Sequence, residues 1–230
     1  METPLLPTPT TLDDRTWDDL MELTHGAVSI CYQCGECTAA CPWGQIRESG
    51  YAVRTHLRQA QLGIFMEDPN LWLCTTCGQC EALCPRGVNI SEVMRALRSL
   101  AWQHKLPQPG FNRLLWSVYW NNNPWEQPPS YRTRWAGDAQ PPTFDPQQHE
   151  ILLYIGCTPS YDTRAQKIAR SLVKVLQATG VSFGTLGQSE PCSGEEARSV
   201  GHLAYFQEIA GKAAAVLAES GARHLVTIDP

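Results

Sequence analysis

The sequence predicts a helical domain followed by an α/β domain with a parallel sheet, an α+α/β architecture. Three observations predict it. A cysteine run occurs twice in the first half, the residues around both runs follow the helical period, and from Glu150 onward short apolar strands alternate with helical stretches.

The first run is Cys31-x-x-Cys34-x-x-Cys37-x-x-x-Cys41-Pro42 and the second is Cys74-x-x-Cys77-x-x-Cys80-x-x-x-Cys84-Pro85, each cysteine of the first matched 43 residues later. Three thiolates spaced by two residues can converge on one iron–sulfur cube, while the fourth ligand must come from elsewhere. In two-cluster ferredoxins the last cysteine of each run crosses to the other cluster. This assigns Cys31, Cys34, Cys37 and Cys84 to a first [4Fe–4S] cluster. Cys74, Cys77, Cys80 and Cys41 go to a second. Gly35 with Gly78, Pro42 with Pro85 and Gly44 with Gly87 repeat in the same register. A glycine after the second cysteine permits positive φ, and proline after the fourth ends the loop. Zinc would use two separated pairs and leave the third cysteine of each triplet idle. A disulfide framework would need an exported chain.

The 230 residues suffice for one large or two small domains, and the net charge of −5 argues against a nucleic-acid footprint. The opening METPLLPTPTTLDD lacks the positive region of a signal peptide, and no apolar run reaches bilayer length. Ten cysteines without such a signal are expected in a reducing cytoplasm, as metal ligands.

Residues 1–28 are expected to be a loose tail and then a helix starting at Leu12, with Thr11 and Asp14 as a capping box. In the cluster domain, residues 29–106, Ser49 is expected to cap a helix over Tyr51–Leu62 that Gly63 stops. Asn89 or Ser91 opens another helix, to about Lys105. Residues 107–149 are rich in proline and tryptophan and read as a linker with a short helix around Asn112–Trp120. Its rings either pack on the flanking domains or form a strap for a partner. In 150–230, strands are expected at Ile151–Ile155, Val181–Thr185 and His224–Ile228. Ser160 is expected to cap a helix running to Ala178, and a second helix spans about His202–Glu219. The sequence stops at Asp229-Pro230, which leaves open a short chain or an absent continuation.

The paired runs followed by ILLYIGCTPSYDTR and EPCSGEEAR resemble the iron–sulfur subunits of heterodisulfide reductase and its CCG-domain relatives. Those relatives include iron–sulfur subunits of anaerobic glycerol-3-phosphate, glycolate and lactate dehydrogenases. The resemblance implies a ferredoxin half like the small dicluster subunit of heterodisulfide reductase, and a partial, degenerate CCG-type half. Cys157 matches the first CCG cysteine and Cys192 the first of the Cys-Cys pair, with Ser193 in place of the second. The later Cys-x-x-Cys of the motif and a second motif are missing. The family's disulfide-cleaving centre is therefore not expected in this chain, and no residue is assigned a catalytic role. Cys157 and Cys192 are read as relics buried as small hydrophobes, as a redox thiol pair, or as groups facing a partner's cluster. Arg47, Arg54, Arg58, Arg86, Arg95 and Arg98 place positive charge near the clusters, and a solvated face is their ordinary fate.

The leading expectation is an electron-transfer subunit of a cytoplasmic heterodisulfide-reductase-like complex. It would relay electrons between a flavoprotein subunit and a catalytic CCG-domain subunit. The runner-up is the iron–sulfur subunit of a glycerol-3-phosphate, glycolate or lactate dehydrogenase. Two further readings are a thiol enzyme using Cys157 or Cys192 and an assembly platform built from the CCG half.

Overall fold

The computed structural model describes residues 13–46, 49–65, 67–106 and 108–228. The expected tail, Thr11, Leu12, Arg47 and the final Asp229-Pro230 lie outside the described residues. The chain divides into two compact units. Unit 1 holds the first 108 residues with Ser199–His202, and unit 2 holds Pro109–Arg198 with Leu203–Pro230.

Unit 1 contains α1 (Asp14–Leu23), α2 (Glu36–Ala40), α3 (Val53–Gln61), α4 (Gln79–Ala82) and α5 (Ile90–Gln103). Single 3-10 turns lie at Trp43–Gln45 and Pro69–Leu73, and among the described residues the unit has no strand. The first helix starts two residues later than expected. Asp13 is its cap, accepting from the Arg15 N–H at 3.1 Å and the Thr16 hydroxyl at 3.0 Å. The third helix begins at Val53, after an Ala52 cap with no side-chain bond. Ser49 instead closes the turn before it, accepting from the Tyr51 N–H at 3.2 Å. The first-turn Arg54 N–H donates to Thr38 Oγ1 at 2.9 Å, so a residue from the end of the first cysteine run does the capping. Gly63 ends α3 at φ +60° as expected, where an added Cβ would lie 2.6 Å from the Asp13 carbonyl oxygen. Asn89 caps α5 by accepting from the Glu92 N–H.

The core of unit 1 gathers Leu20, Val28, Cys37, Val53, Leu57, Val93, Met94, Leu97 and Leu100, with Cys31, Cys41, Cys74, Cys80 and Cys84 packed against it. Each such aliphatic side chain contributes roughly 1.5–3 kcal/mol of burial. α5 is buried on nearly every side, including Arg95 and Arg98. This corrects the expectation of a solvated arginine face for those two, while Arg54, Arg58 and Arg86 do face solvent.

Unit 2 is built on β1 (Ile151–Tyr154), β2 (Phe183–Gly184) and β3 (His224–Thr227), all parallel in the order β2-β1-β3. Ile151 is opposite both Phe183 and His224, and Leu152 and Leu153 of the central strand are buried. The helices are α6 (Pro109–Asn121), α7 (Cys157–Tyr161), α8 (Ala165–Ala178), α9 (Glu195–Ser199) and α10 (Leu203–Glu219). The helix expected from Ser160 to Ala178 is interrupted. Ser160 bonds back to the Gly156 carbonyl at 2.6 Å, and Asp162 accepts from the Arg164 and Ala165 N–H groups, restarting the chain as α8.

Residues 109–149 pack within unit 2 rather than running free. α6 is longer than the expected Asn112–Trp120 helix, and Trp135 is buried in a core with Leu153, Ile155, Ala169, Val173 and Phe183. The Phe144 N–H donates to the Thr185 carbonyl and the Thr185 N–H to the Pro142 carbonyl, both at 2.9 Å, a parallel bridge between Thr143 and Thr185 that adds a rung beside β2. Burying Trp135 helps to fix the path of this proline-rich segment, while Trp116, Tyr119, Trp120 and Trp125 stay exposed.

Candidate cluster cavities and a buried thiol pair

The duplicated cysteine runs fold alike at the backbone. Gly35 and Gly78 take φ +94° and +76° at the starts of α2 and α4, as their positions required. Gln33 and Thr76, also 43 residues apart, take φ +65° and +52°. Two left-handed residues in five curl each loop around its sulfurs and turn N–H groups inward. The Thr76 N–H lies 3.4 Å from Cys74 Sγ. In the other copy the Gln33 side chain takes this role, with Nε2 donating to Cys31 Sγ at 3.5 Å and to Gln61 Oε1 at 2.8 Å. Gln61 of α3 in turn donates to the Cys31 carbonyl at 2.6 Å. These bonds hold the disfavoured conformation of Gln33 in place.

The eight cysteines fall around two cavities, both inside unit 1. Cys31, Cys34, Cys37 and Cys84 line one, together with Arg54, Leu57 and Val88. Cys74, Cys77, Cys80 and Cys41 line the other, together with Trp43, Tyr51, Ser91 and Ile90. The second cavity is about 270 Å³, and the first closes to about 20 Å³. What they share is the donor set, four thiols with the fourth drawn from the opposite run.

That donor set fits an iron–sulfur cube. Cys34 and Cys77 are exposed, while Cys37 is buried. Burial pushes the Cys37 thiol up and the Cys80 thiol up to about 12. Four thiolates side by side in a part-buried cavity need a cationic core to balance them, which is the chemistry of iron ligation.

Unit 2 brings Cys157 and Cys192 together. Cys157 begins α7 after Gly156, Cys192 lies in the loop before α9, and the two side chains are buried within hydrogen-bonding reach of each other. Three residues that sequence reading missed surround them. Arg132, 2% exposed, points both terminal nitrogens at Cys157 Sγ, at 3.6 and 3.7 Å. It also meets Glu190 Oε1 at 3.2 Å. Glu190 accepts from the Ile155 and Gly156 N–H groups at 2.9 and 2.8 Å. Asn122, at φ +54°, accepts from the Cys192 N–H at 2.9 Å and donates to the Glu190 carbonyl at 3.2 Å. The Asn121–Asn122–Asn123–Pro124 stretch was the available signal, since asparagine tolerates left-handed backbone and caps its own turn.

Burial pushes the Glu190 carboxyl up, but every group facing it is a donor, so the site selects the carboxylate. The hydrogen bond from Cys192, helped by the Arg132 charge, holds the Cys157 thiol below the usual thiol range, while the same contact pushes Cys192 up. The pair is thus asymmetric, with Cys192 as the donor and Cys157 as the sulfur that accepts.

Comparison with known proteins gives two family matches. A 4Fe-4S dicluster domain matches residues 27–88, and a cysteine-rich (CCG) domain matches residues 151–230. The probable iron-sulfur-binding oxidoreductase FadF of Bacillus subtilis (strain 168) is 37% identical over 126 residues, 51% of this chain and 18% of its own length. The EtfAB:quinone oxidoreductase of Syntrophomonas wolfei is 28% identical over 149 residues, 62% of this chain and 21% of its own. An iron-sulfur subunit of the CoB–CoM heterodisulfide reductase of Methanopyrus kandleri is 46% identical over 78 residues, 33% of this chain and 40% of its own. The chain thus spans between about a fifth and two fifths of the length of these relatives. The chain thus carries a 4Fe-4S dicluster domain at residues 27–88 followed by a cysteine-rich (CCG) domain at residues 151–230, and it is similar to iron–sulfur oxidoreductases that include this heterodisulfide reductase subunit.

Proposed function

We propose that the chain is an electron-transfer subunit of a heterodisulfide-reductase-like complex, cytoplasmic in location. Cys31, Cys34, Cys37 and Cys84 hold one [4Fe–4S] cluster, and Cys74, Cys77, Cys80 and Cys41 hold the other. The observation that carries this is the composition of the two cavities, each lined by three cysteines of one run and the last of the other. When bound, such clusters pass single electrons, and the protein sets their potentials through hydrogen bonds, charge and exposure. The chain's own part is to hold eight thiolates in two fixed quartets and to shield them with α3 and α5. Among the described residues no helix is long and apolar enough to cross a membrane.

The partners in this reading are a flavoprotein subunit and a catalytic CCG-domain subunit. The functional segments are 29–106 for the clusters and 150–230 for the partial CCG half, with 107–149 between them. The CCG half offers two thiols, Cys157 and Cys192, and a complete catalytic centre belongs to the partner. A second reading, an iron–sulfur subunit of a glycerol-3-phosphate, glycolate or lactate dehydrogenase type, has its own support. FadF and the EtfAB:quinone oxidoreductase match 51% and 62% of the chain, against 33% for the heterodisulfide reductase subunit. Mild anaerobic purification followed by mass spectrometry of what stays bound decides between them. A flavoprotein together with a CCG-domain subunit is the expected result. A hydroxyacid or glycerol-phosphate dehydrogenase subunit in their place would transfer the chain to the second reading.

A further inference from the structure

The two cavities are not equivalent. Into the one lined by Cys41, Cys74, Cys77 and Cys80 points Tyr51, which is 3% exposed. Its hydroxyl is buried without a hydrogen-bond partner of good geometry, and the group it engages is the Cys74 thiol. A buried hydroxyl left without a partner costs stability, so one aimed at a ligand sulfur is expected to be satisfied there.

Arg98 lies on the same side. Its guanidinium donates to the carbonyls of Cys74 at 2.5 Å, Leu71 at 2.9 Å and Ser199 at 2.5 Å, and Cys74 and Tyr51 are within its field. It is 4% exposed, so its charge acts in a medium of low dielectric constant. The guanidinium keeps its proton even there. The other cavity has donors to sulfur from Gln33 and from the Val88 N–H, while its lining arginine, Arg54, is exposed and screened by water, so the buried cation is what sets the two cavities apart. Reduction adds negative charge to a cluster, so a buried cation and a hydroxyl donor favour the reduced form.

Resting on the reading that both cavities hold cubes, we propose that Tyr51 donates its hydroxyl hydrogen bond to Cys74 Sγ. With Arg98 behind it, this keeps the cluster of that cavity at the higher reduction potential of the two. Tyr51 is a positioning and tuning residue, not a ligand.

The test is a potentiometric titration of the anaerobically isolated full chain, followed by electron paramagnetic resonance, for wild type and Tyr51→Phe. Wild type should titrate in two separate one-electron steps. Removing the hydroxyl should lower the upper step alone, so that the reduced-to-oxidised ratio at the original midpoint falls about three- to tenfold, the effect of losing one hydrogen bond of about 1 kcal/mol. Iron content should not change. In resonance Raman spectra the Fe–S(Cys) stretching bands of Tyr51→Phe should move, because one cysteine sulfur loses its donor. Two unshifted steps with full iron, or movement of the lower step instead, overturns the proposal and leaves the two-cluster reading standing. A chain with a single cluster overturns both.

Discussion

The Arg132 guanidinium and the Glu190 carboxylate meet at 3.2 Å with each side chain 2% exposed, 58 residues apart in sequence. Around this pair the loop of Asn122, the start of α7 and the loop of Cys192 are fixed together. Taking one partner away leaves a buried charge without compensation, a loss of about 3–5 kcal/mol. Arg132→Met should therefore lower the denaturant midpoint of unit 2 by a large part of its stability. Arg132→Met combined with Glu190→Gln should recover part of the loss, since glutamine removes the buried charge and its one carbonyl oxygen still accepts from one of the Ile155 and Gly156 N–H groups, which in the wild type meet separate carboxylate oxygens. If the double variant is less stable than the single one, the pair does not act as described.

The crossed ligand sets predict a specific pattern of damage. Cys84→Ser should deplete the cluster of the cavity that it shares with Cys31, and Cys41→Ser that of the cavity it shares with Cys74. Each variant should keep the spectroscopic signature of the remaining cluster. The uncrossed arrangement predicts the reverse assignment, and Mössbauer or electron paramagnetic resonance spectra of the two variants distinguish them.

His56 makes unit 1 sensitive to acid. It is buried, and burial pushes its imidazole below the usual 6.5, although Asp68 at 3.9 Å pulls the other way. The groups facing it are Asp68, Gln59, the Tyr51 ring and Arg98. The unfolded chain then binds the proton more readily than the folded one. This contribution to stability is complete above pH 6.5 and is lost as the pH falls from there through the lower folded value. The slope approaches about 1.4 kcal/mol per pH unit at most. Unfolding midpoints between pH 7.5 and 5.5 should show it, and His56→Gln should flatten it. An equal slope in both proteins would assign the effect to another group.

The sequence reading met the structure where the backbone signal is local: the left-handed Gly35 and Gly78 follow from the turn that the cysteine spacing requires. The helix stop at Gly63 is a local signal too. It failed where a distant residue does the local work. Ser49 has the composition of a cap, yet Thr38 satisfies the Arg54 N–H, and no periodicity of α3 announces that. The break between Ser160 and Ala165 hinges on one carboxylate, Asp162, accepting two N–H groups, a detail smaller than the apolar pattern resolves. The aromatic segment before β1 read as a linker because proline suppresses both periods, while Trp135 is held by the core of a sheet that comes later in the chain. Arg132, Glu190 and Asn122 were illegible for the same reason. Each is an ordinary loop residue until the fold brings them to Cys157 and Cys192.

The most direct measurement is iron and spin quantification on the anaerobically isolated chain. Two cubes predict about eight iron atoms per chain and two interacting paramagnetic centres on full reduction. About four iron atoms with one isolated centre, or zinc in their place, would contradict the account.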